Sequence, residues 1–165
     1  MMSGTMEPMP PAAVTAAAGA VRALLRLEDG NEAALVDRVA GVALGLAESF
    51  CGQLLIERMV EDRVAGSVAW QPLSATPVRA ILSGGEGAID RDGRGWVRTR
   101  EELTVRYRAG LAADWAGLPP EIAHGAAIMG AHLFDNRDAA AVPPAVVAAL
   151  WRPWRRMRLD TPRRA

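Results

Sequence analysis

The stretch "ALVDRVAGVALGLAESFCG", residues 34–52, holds the clearest helical pattern in the chain. Its apolar residues recur at spacings of 4, 3, 4 and 4, which predicts a helix with a single apolar stripe. The stripe comprises Leu35, Val39, Val42, Leu46 and Phe50. Gly52 follows where a C-terminal glycine cap belongs. Gly41 and Gly45 lie inside the helix, each at a cost of about 1 kcal/mol relative to alanine. They therefore predict a backbone that packs closely against this helix.

Further helices are predicted on both sides of this stretch. Upstream, the alanine-rich segment 15–27 predicts a helix with Thr15 as its N-cap, after a flexible lead-in over residues 1–12. Downstream, the pair Pro119–Pro120 suits the start of a third helix, and the pair Pro143–Pro144 opens a last one. Pro153 should kink or end the last helix, because its ring would clash with the carbonyl group four residues earlier.

The segment between the second and third helices has a different period. In "ELTVRYR", residues 102–108, apolar and polar residues alternate, which predicts a half-buried strand. "PVRAIL" (77–82) and "GWVR" (95–98) are shorter strand candidates, bounded by glycine-rich turns. Residues 54–70 fit either a helix tail or an extended strand. The predicted fold is therefore α+β and mainly helical: about four helices, with a small antiparallel β-region of three or four strands inserted between helices 2 and 3.

Composition limits the chemistry of this 165-residue chain, which has the size of one domain. All 19 basic residues are arginine, so a Walker P-loop and Schiff-base catalysis both lack their lysine. Cys51 is alone, which excludes an intrachain disulfide and favours a buried structural role. The N-terminus is a poor secretory signal and no apolar run reaches the length of a membrane helix. We expect a soluble protein used inside a cell, with no membrane partner.

One set of residues raises the question of metal chemistry. His124 and His132 lie eight apart on the predicted third helix, and Asp135 follows them. A helical zinc site usually places two histidines four apart, so ordinary surface or interface contacts are the favoured interpretation. A small hydrolase or metalloenzyme built on these residues remains a rival hypothesis. We expect no enzyme activity, no cofactor and no metal.

The C-terminal stretch "ALWRPWRRMRLDTPRRA", residues 149–165, departs from the neutral balance of the chain. From Trp151 onward it holds six arginines and one acid, Asp160, so it carries about +5 and the rest about −5. Three interpretations are open. It can be a docking peptide, since Trp and Arg are enriched at interface hot spots. Alternatively, Trp151 and Trp154 belong to the core and the arginines are solvated, or the segment binds nucleic acid directly.

The order of these motifs resembles the head-to-tail connector (adaptor) proteins of long-tailed phages and gene transfer agents. "LWRPWRRMRL" (150–159) is similar to the terminal pattern of that family. "LPPEIAHGAAIMGAHLFDNRD" (118–138) is similar to its late helix, and "VRYRAG" (105–110) to a strand end. The resemblance spans residues 13–160. The chain departs from the family at Ala13–Ala16 and in its lack of lysine.

The resemblance implies a structural, non-enzymatic role. It implies a ring, expected to be a dodecamer, that joins the portal protein of a DNA-filled capsid to a tail-side connector or stopper protein. Double-stranded DNA would pass through the bore without sequence-specific binding. The particle neck would be its location, after assembly in the bacterial cytoplasm. A nucleic-acid-binding module is the alternative function.

The resemblance also implies a division of the chain into a connector domain, residues 13–150, and a basic aromatic docking arm, residues 151–165. The residues expected to bind the portal are Trp151, Arg152, Trp154, Arg155, Arg156, Met157, Arg158 and Leu159. Gly41 and Gly45 are expected at the interface between ring subunits, where a neighbouring backbone can approach closely.

Overall fold

A computed structural model describes residues 4–28, 30, 32–136 and 142–156 of the chain. Its helices are α1 (Pro11–Leu25), α2 (Ala33–Cys51), α3 (Pro120–Asp135) and α4 (Ala145–Trp151), the last continued by a 3-10 turn at Arg152–Trp154. Its strands are β1 (Gly4–Met6), β2 (Arg58–Val64), β3 (Ser67–Pro72), β4 (Val78–Ser83), β5 (Glu86–Ile89), β6 (Gly95–Thr99) and β7 (Leu103–Ala109). Within the described residues, no helix combines the length and hydropathy that crossing a bilayer requires.

The strands form two antiparallel sheets, in the orders β1-β2-β7-β4 and β3-β6-β5. Side chains from both sheets share one apolar core, which includes Val64, Val97, Val105 and Tyr107. The four helices build a second core with the segment after α2. The molecule is therefore a helical body joined to a β-region, with a hydrophobic core in each.

The predicted fold class needs two corrections. Helices hold 41% of the described residues and strands 27%, so the chain is α+β but not mainly helical. The β-region is also not a single insertion, because β1 precedes α1 and pairs with β2. Residues 4–6 thus form a strand where a flexible lead-in was expected, and six strands lie between α2 and α3 where three or four were expected.

Most predicted elements are confirmed at their expected places. β4, β6 and β7 coincide with the three strand candidates, and α4 ends just before the 3-10 turn that contains Pro153. Gly52 caps α2 at a φ of 65°, and its N–H donates to the Glu48 carbonyl at 2.8 Å. The expected cap at Thr15 is wrong, because α1 begins four residues earlier and follows Pro10.

The apolar stripe predicted for α2 matches the buried face of that helix only in part, because Val39 is buried and Phe50 packs on the core whereas Val42 and Leu46 are exposed. α2 buries a set of mostly small residues: Val36, Val39, Ala40, Ala43, Leu44, Ala47 and Cys51. Val42 and Leu46, which belong to the predicted stripe, are 48% and 41% exposed. Small side chains let helices approach closely: a Cβ on Gly130 of α3 would lie 2.6 Å from Val21 of α1. The tight packing of α1, α2 and α3 therefore buries the face of α2 that carries Ala40, Ala43 and Ala47 and leaves Val42 and Leu46 outside.

Candidate docking site at the C-terminal segment

Trp151, the first residue of the predicted arm, belongs to the core of the helical body. Its side chain is 3% exposed, and its indole N–H donates to the carbonyl of Ile122 in α3 at 3.3 Å. The ring lies against Gly125, where an added Cβ would overlap the indole nitrogen. The Phe50 ring of α2 packs on it at a tilt, with 5.8 Å between centroids. Trp151 therefore holds α4 against α2 and α3, which corrects the prediction that it offers its indole to the portal.

Residues 152–156, here called the C-terminal strap, cross the end of α2. The Gln53 amide donates to the Trp154 carbonyl at 2.7 Å, and the Arg156 N–H donates to the Cys51 carbonyl at 2.7 Å. A Cβ on Gly52 would lie 2.6 Å from the Arg156 carbonyl oxygen, so the close crossing requires glycine there. The strap is thus fixed to the body by its backbone.

The two arginines at the end of the strap contact different parts of the molecule. Arg155 is exposed, and its guanidinium lies over the Phe50 ring, 5.7 Å from the centroid. Arg156 is half-buried and donates to the Thr76 hydroxyl at 3.4 Å and to the Asp92 carbonyl. Thr76 and Asp92 lie in loops of the β-region. The strap therefore connects the helical body to the β-region before the chain continues.

The residues predicted to bind the portal therefore differ in their exposure to solvent. Arg152 and Arg155 are exposed, whereas Trp154 and Arg156 are half-buried in the strap. Met157, Arg158 and Leu159 lie outside the described residues. Trp151 and the strap pack on the body, and the division predicted between a connector domain and an arm at residue 151 stays a prediction. Deleting 151–165 would thus remove part of the core, so a deletion that tests docking alone has to begin after Arg156.

Two polar residues that the sequence analysis did not single out fix the end of α2, where the strap crosses. Arg58 of β2 binds the Glu48 carboxylate of α2 through two hydrogen bonds of 2.9 and 2.6 Å, in a pair whose side chains are only 4% and 12% exposed. Glu48 also accepts the Leu55 N–H at 2.8 Å. This buried ion pair fixes the end of α2 against the sheet. Its two residues are ten apart on different elements, so no local pattern indicates the contact.

A second buried polar cluster orders the loop that Arg156 reaches. Asp62 of β2 is fully buried and accepts hydrogen bonds from the Ser74 hydroxyl at 2.6 Å, the Ser74 N–H at 2.7 Å and the Tyr107 hydroxyl at 2.8 Å. Burial raises the pKa of Tyr107 above its usual value, so the phenol stays protonated and donates. A buried carboxylate with three donors fits a structural role.

The candidate chemical groups do not assemble into a reactive site. Burial, together with the Glu48 charge, raises the pKa of the Cys51 thiol to about 11, which suits the predicted structural cysteine. His132 contacts the side chain of Asn136, the residue just after α3, at 3.2 Å, and His124 is exposed. Among the described residues, no three His, Cys, Asp or Glu side chains converge as metal ligands would.

The two predicted ring-interface glycines have different surroundings. A Cβ on Gly41 would contact Val14 of α1 at 3.7 Å, so the neighbour of Gly41 is a helix of the same chain. Among the described residues, Gly45 faces open space, with no neighbouring atom within 4 Å of an added Cβ. It lies beside exposed Val42 and Leu46 on the outer side of α2. Gly45 therefore remains a prediction for contact with another molecule.

These features define an α+β protein in which residues 152–156 are strapped across the end of α2. Comparison with solved structures finds the same fold in chains of the gene transfer agent (GTA) particle. A chain in "Neck of empty GTA particle computed with C6 symmetry" matches with a TM-score of 0.77 and 21% identity, over 99% of this chain and 100% of that one. A chain in "Neck of native GTA particle computed with C12 symmetry" matches with a TM-score of 0.73 and 21% identity, over 99% and 100%.

A third match, from "Virion of native gene transfer agent (GTA) particle", has a TM-score of 0.73 and 19% identity over 98% of both chains. No protein-family model matches the chain, and no curated protein matches its sequence. The chain therefore has the fold of a gene transfer agent neck protein along nearly its whole length. This confirms the resemblance that the sequence motifs indicate.

Proposed function

We propose that this chain is a structural ring subunit of the neck of a phage-like particle, where it joins the portal protein to the tail-side connector. The observation that carries the proposal is the match of 98–99% of the chain to chains of GTA particles, two of them described as particle necks. The protein acts by assembly rather than by catalysis.

In this proposal the C-terminal segment binds the portal. The strap brings the chain across the end of α2 with Arg152 and Arg155 exposed, and three further arginines follow Arg156 in the sequence. Guanidinium groups form paired hydrogen bonds with carboxylates, so an acidic portal surface is the expected partner. Trp151 contributes by anchoring the segment, because its indole is buried.

DNA passage through the ring is a further part of the proposal. DNA that slides through a bore needs weak, sequence-independent contacts, and the formal net charge of zero fits that requirement. The arginine-rich segment is then reserved for protein contacts.

Binding to purified portal rings of the same particle tests the proposal. A chain that ends at Arg156 keeps every contact described above and loses three arginines and one aspartate. We expect it to fold like the full chain, as judged by circular dichroism, and to lose affinity for the portal. Arg152→Ala with Arg155→Ala should weaken binding further, whereas Arg106→Ala on the exposed sheet surface serves as the control.

Two results would contradict the proposal. One is full portal affinity in the chain that ends at Arg156 and carries both alanine substitutions. The other is strong DNA binding with a steep salt dependence, which a nucleic-acid-binding module using several phosphate contacts would show. A titration with a duplex of random sequence at several salt concentrations measures the second.

A further inference from the structure

Arg155 and Arg156 are adjacent in the strap, yet their guanidinium groups have different surroundings. Arg155 is exposed, with its guanidinium over the Phe50 ring. Arg156 is half-buried, and its guanidinium donates to the Thr76 hydroxyl and to the Asp92 carbonyl in the β-region. Bonds to these two acceptors turn the planar fork of Arg156 toward its own chain. The two neighbouring arginines are therefore suited to different tasks.

Both acceptors of the Arg156 guanidinium belong to loops that other bonds hold in place. The Asp90 carboxylate accepts the N–H groups of Asp92 and Arg94, both at 2.9 Å, and so closes the turn between β5 and β6. The Thr76 carbonyl accepts the N–H of residue 54, just after α2, at 2.8 Å. The guanidinium thus joins the strap to parts of the β-region whose positions are already fixed.

Gln53 holds the strap from the side of the helical body, through one half of its amide. The residue is 6% exposed, and its Nε2 donates to the Trp154 carbonyl at 2.7 Å. Its Oε1 is buried and has no hydrogen-bond partner among the described residues. A buried amide oxygen without a partner costs free energy, so stability alone would favour an apolar side chain at this position. The bond that Gln53 donates to the strap explains why a glutamine is present.

Resting on the proposed portal docking, we infer that Gln53 and Arg156 are positioning residues for the C-terminal segment, and that Arg156 acts on its own chain rather than on the portal. The strap is held from two sides, which fixes the point where residues 157–165 continue from the body. A segment held at its root loses less conformational freedom when it binds a partner. Exposed Arg152 and Arg155, in contrast, pair with portal carboxylates.

The salt dependence of portal binding separates positioning from direct contact. Arg156→Met and Gln53→Met remove the donors and keep an unbranched side chain. Each should weaken portal binding about fivefold, the effect of one net hydrogen bond, and leave the slope of affinity against salt unchanged. Arg155→Ala should lower that slope, as the loss of an exposed interface charge does. Arg63→Met, at an exposed arginine paired with Glu102, is the matched control and should change neither quantity.

A double-mutant cycle tests whether Arg156 acts through the β-region. Thr76→Val replaces the hydroxyl acceptor by a methyl group in a half-buried loop residue. It should weaken portal binding in the parent chain and have no further effect in Arg156→Met, because the contact is then already lost. Additive losses in the two variants would contradict an action of Arg156 through Thr76 and overturn the inference.

Amide hydrogen exchange of the isolated chain measures the hold on the strap without the portal. The Arg156 N–H donates to the Cys51 carbonyl at 2.7 Å, and Gln53→Met should speed its exchange while the circular dichroism spectrum stays that of the parent. Unchanged portal affinity in Gln53→Met and Arg156→Met, or a lower salt slope in Arg156→Met, would overturn the inference and leave the proposed function standing. Absence of portal binding by the unmodified chain would instead contradict the proposed function.

Discussion

Trp151→Ala distinguishes a core tryptophan from a docking tryptophan by its effect on the isolated subunit. The indole is 3% exposed, fills the space beside Gly125 and donates to the Ile122 carbonyl. Replacing a buried tryptophan by alanine costs about 3–5 kcal/mol of unfolding free energy. Typical domains have about 5–15 kcal/mol in total. The variant should therefore lose roughly 6–20 °C in melting temperature for a chain of this size.

Urea unfolding followed by far-ultraviolet circular dichroism measures this loss. The comparison requires the same oligomeric state in the variant and the parent, because subunit association adds to apparent stability. Trp70→Ala is the matched control: its indole is 40% exposed and contacts Arg98, so we expect a loss of about 1 kcal/mol. A loss below about 1 kcal/mol for Trp151→Ala, together with lost portal affinity, would refute the core role and restore Trp151 to the docking surface.

Three further perturbations test the packing that positions the strap. Gly125→Ala should destabilise the fold because its Cβ overlaps the Trp151 indole. Gly19→Ala, at an open helical site, should stabilise the fold by up to about 1 kcal/mol. The melting temperatures of the two variants test both expectations. Cys51 has a pKa of about 11, so roughly one thiol in a thousand is ionised at pH 8. It should therefore react with Ellman's reagent only after unfolding. Rapid labelling of the native chain would contradict its burial. Glu48→Gln should lower the free energy of unfolding by about 3–5 kcal/mol, because it leaves the Arg58 charge buried and unpaired. Urea unfolding measures this loss. An unchanged free energy of unfolding would mean that water reaches the pair.

The sequence predicts those features that depend on near neighbours along the chain. Alternation over 103–107 correctly identified β7, glycine at position 52 identified the end of α2, and Pro153 identified the end of α4. Each follows from backbone stereochemistry or from the two-residue period of a strand. The order of such motifs along the chain was enough to indicate the connector-like fold.

Tertiary packing decided which apolar residues face inward. Val42 and Leu46 fit a helical stripe as well as Ala43 and Ala47 do, and only the close approach of α1 and α3 makes the alanine face the buried one. Hydropathy ranks a large side chain above alanine, whereas a tight helix interface favours small side chains where the helices approach most closely.

The C-terminal segment shows the same division between local and tertiary information. Its charge and its break at Pro153 are local properties, and the sequence determined both. The buried Trp151 indole bonds to a residue 29 positions away and fills the space beside a glycine in another helix. The hydrogen bond from Gln53 to the Trp154 carbonyl joins residues 101 positions apart. Contacts over such separations exist only once the helices have packed, because no periodicity in the sequence encodes them.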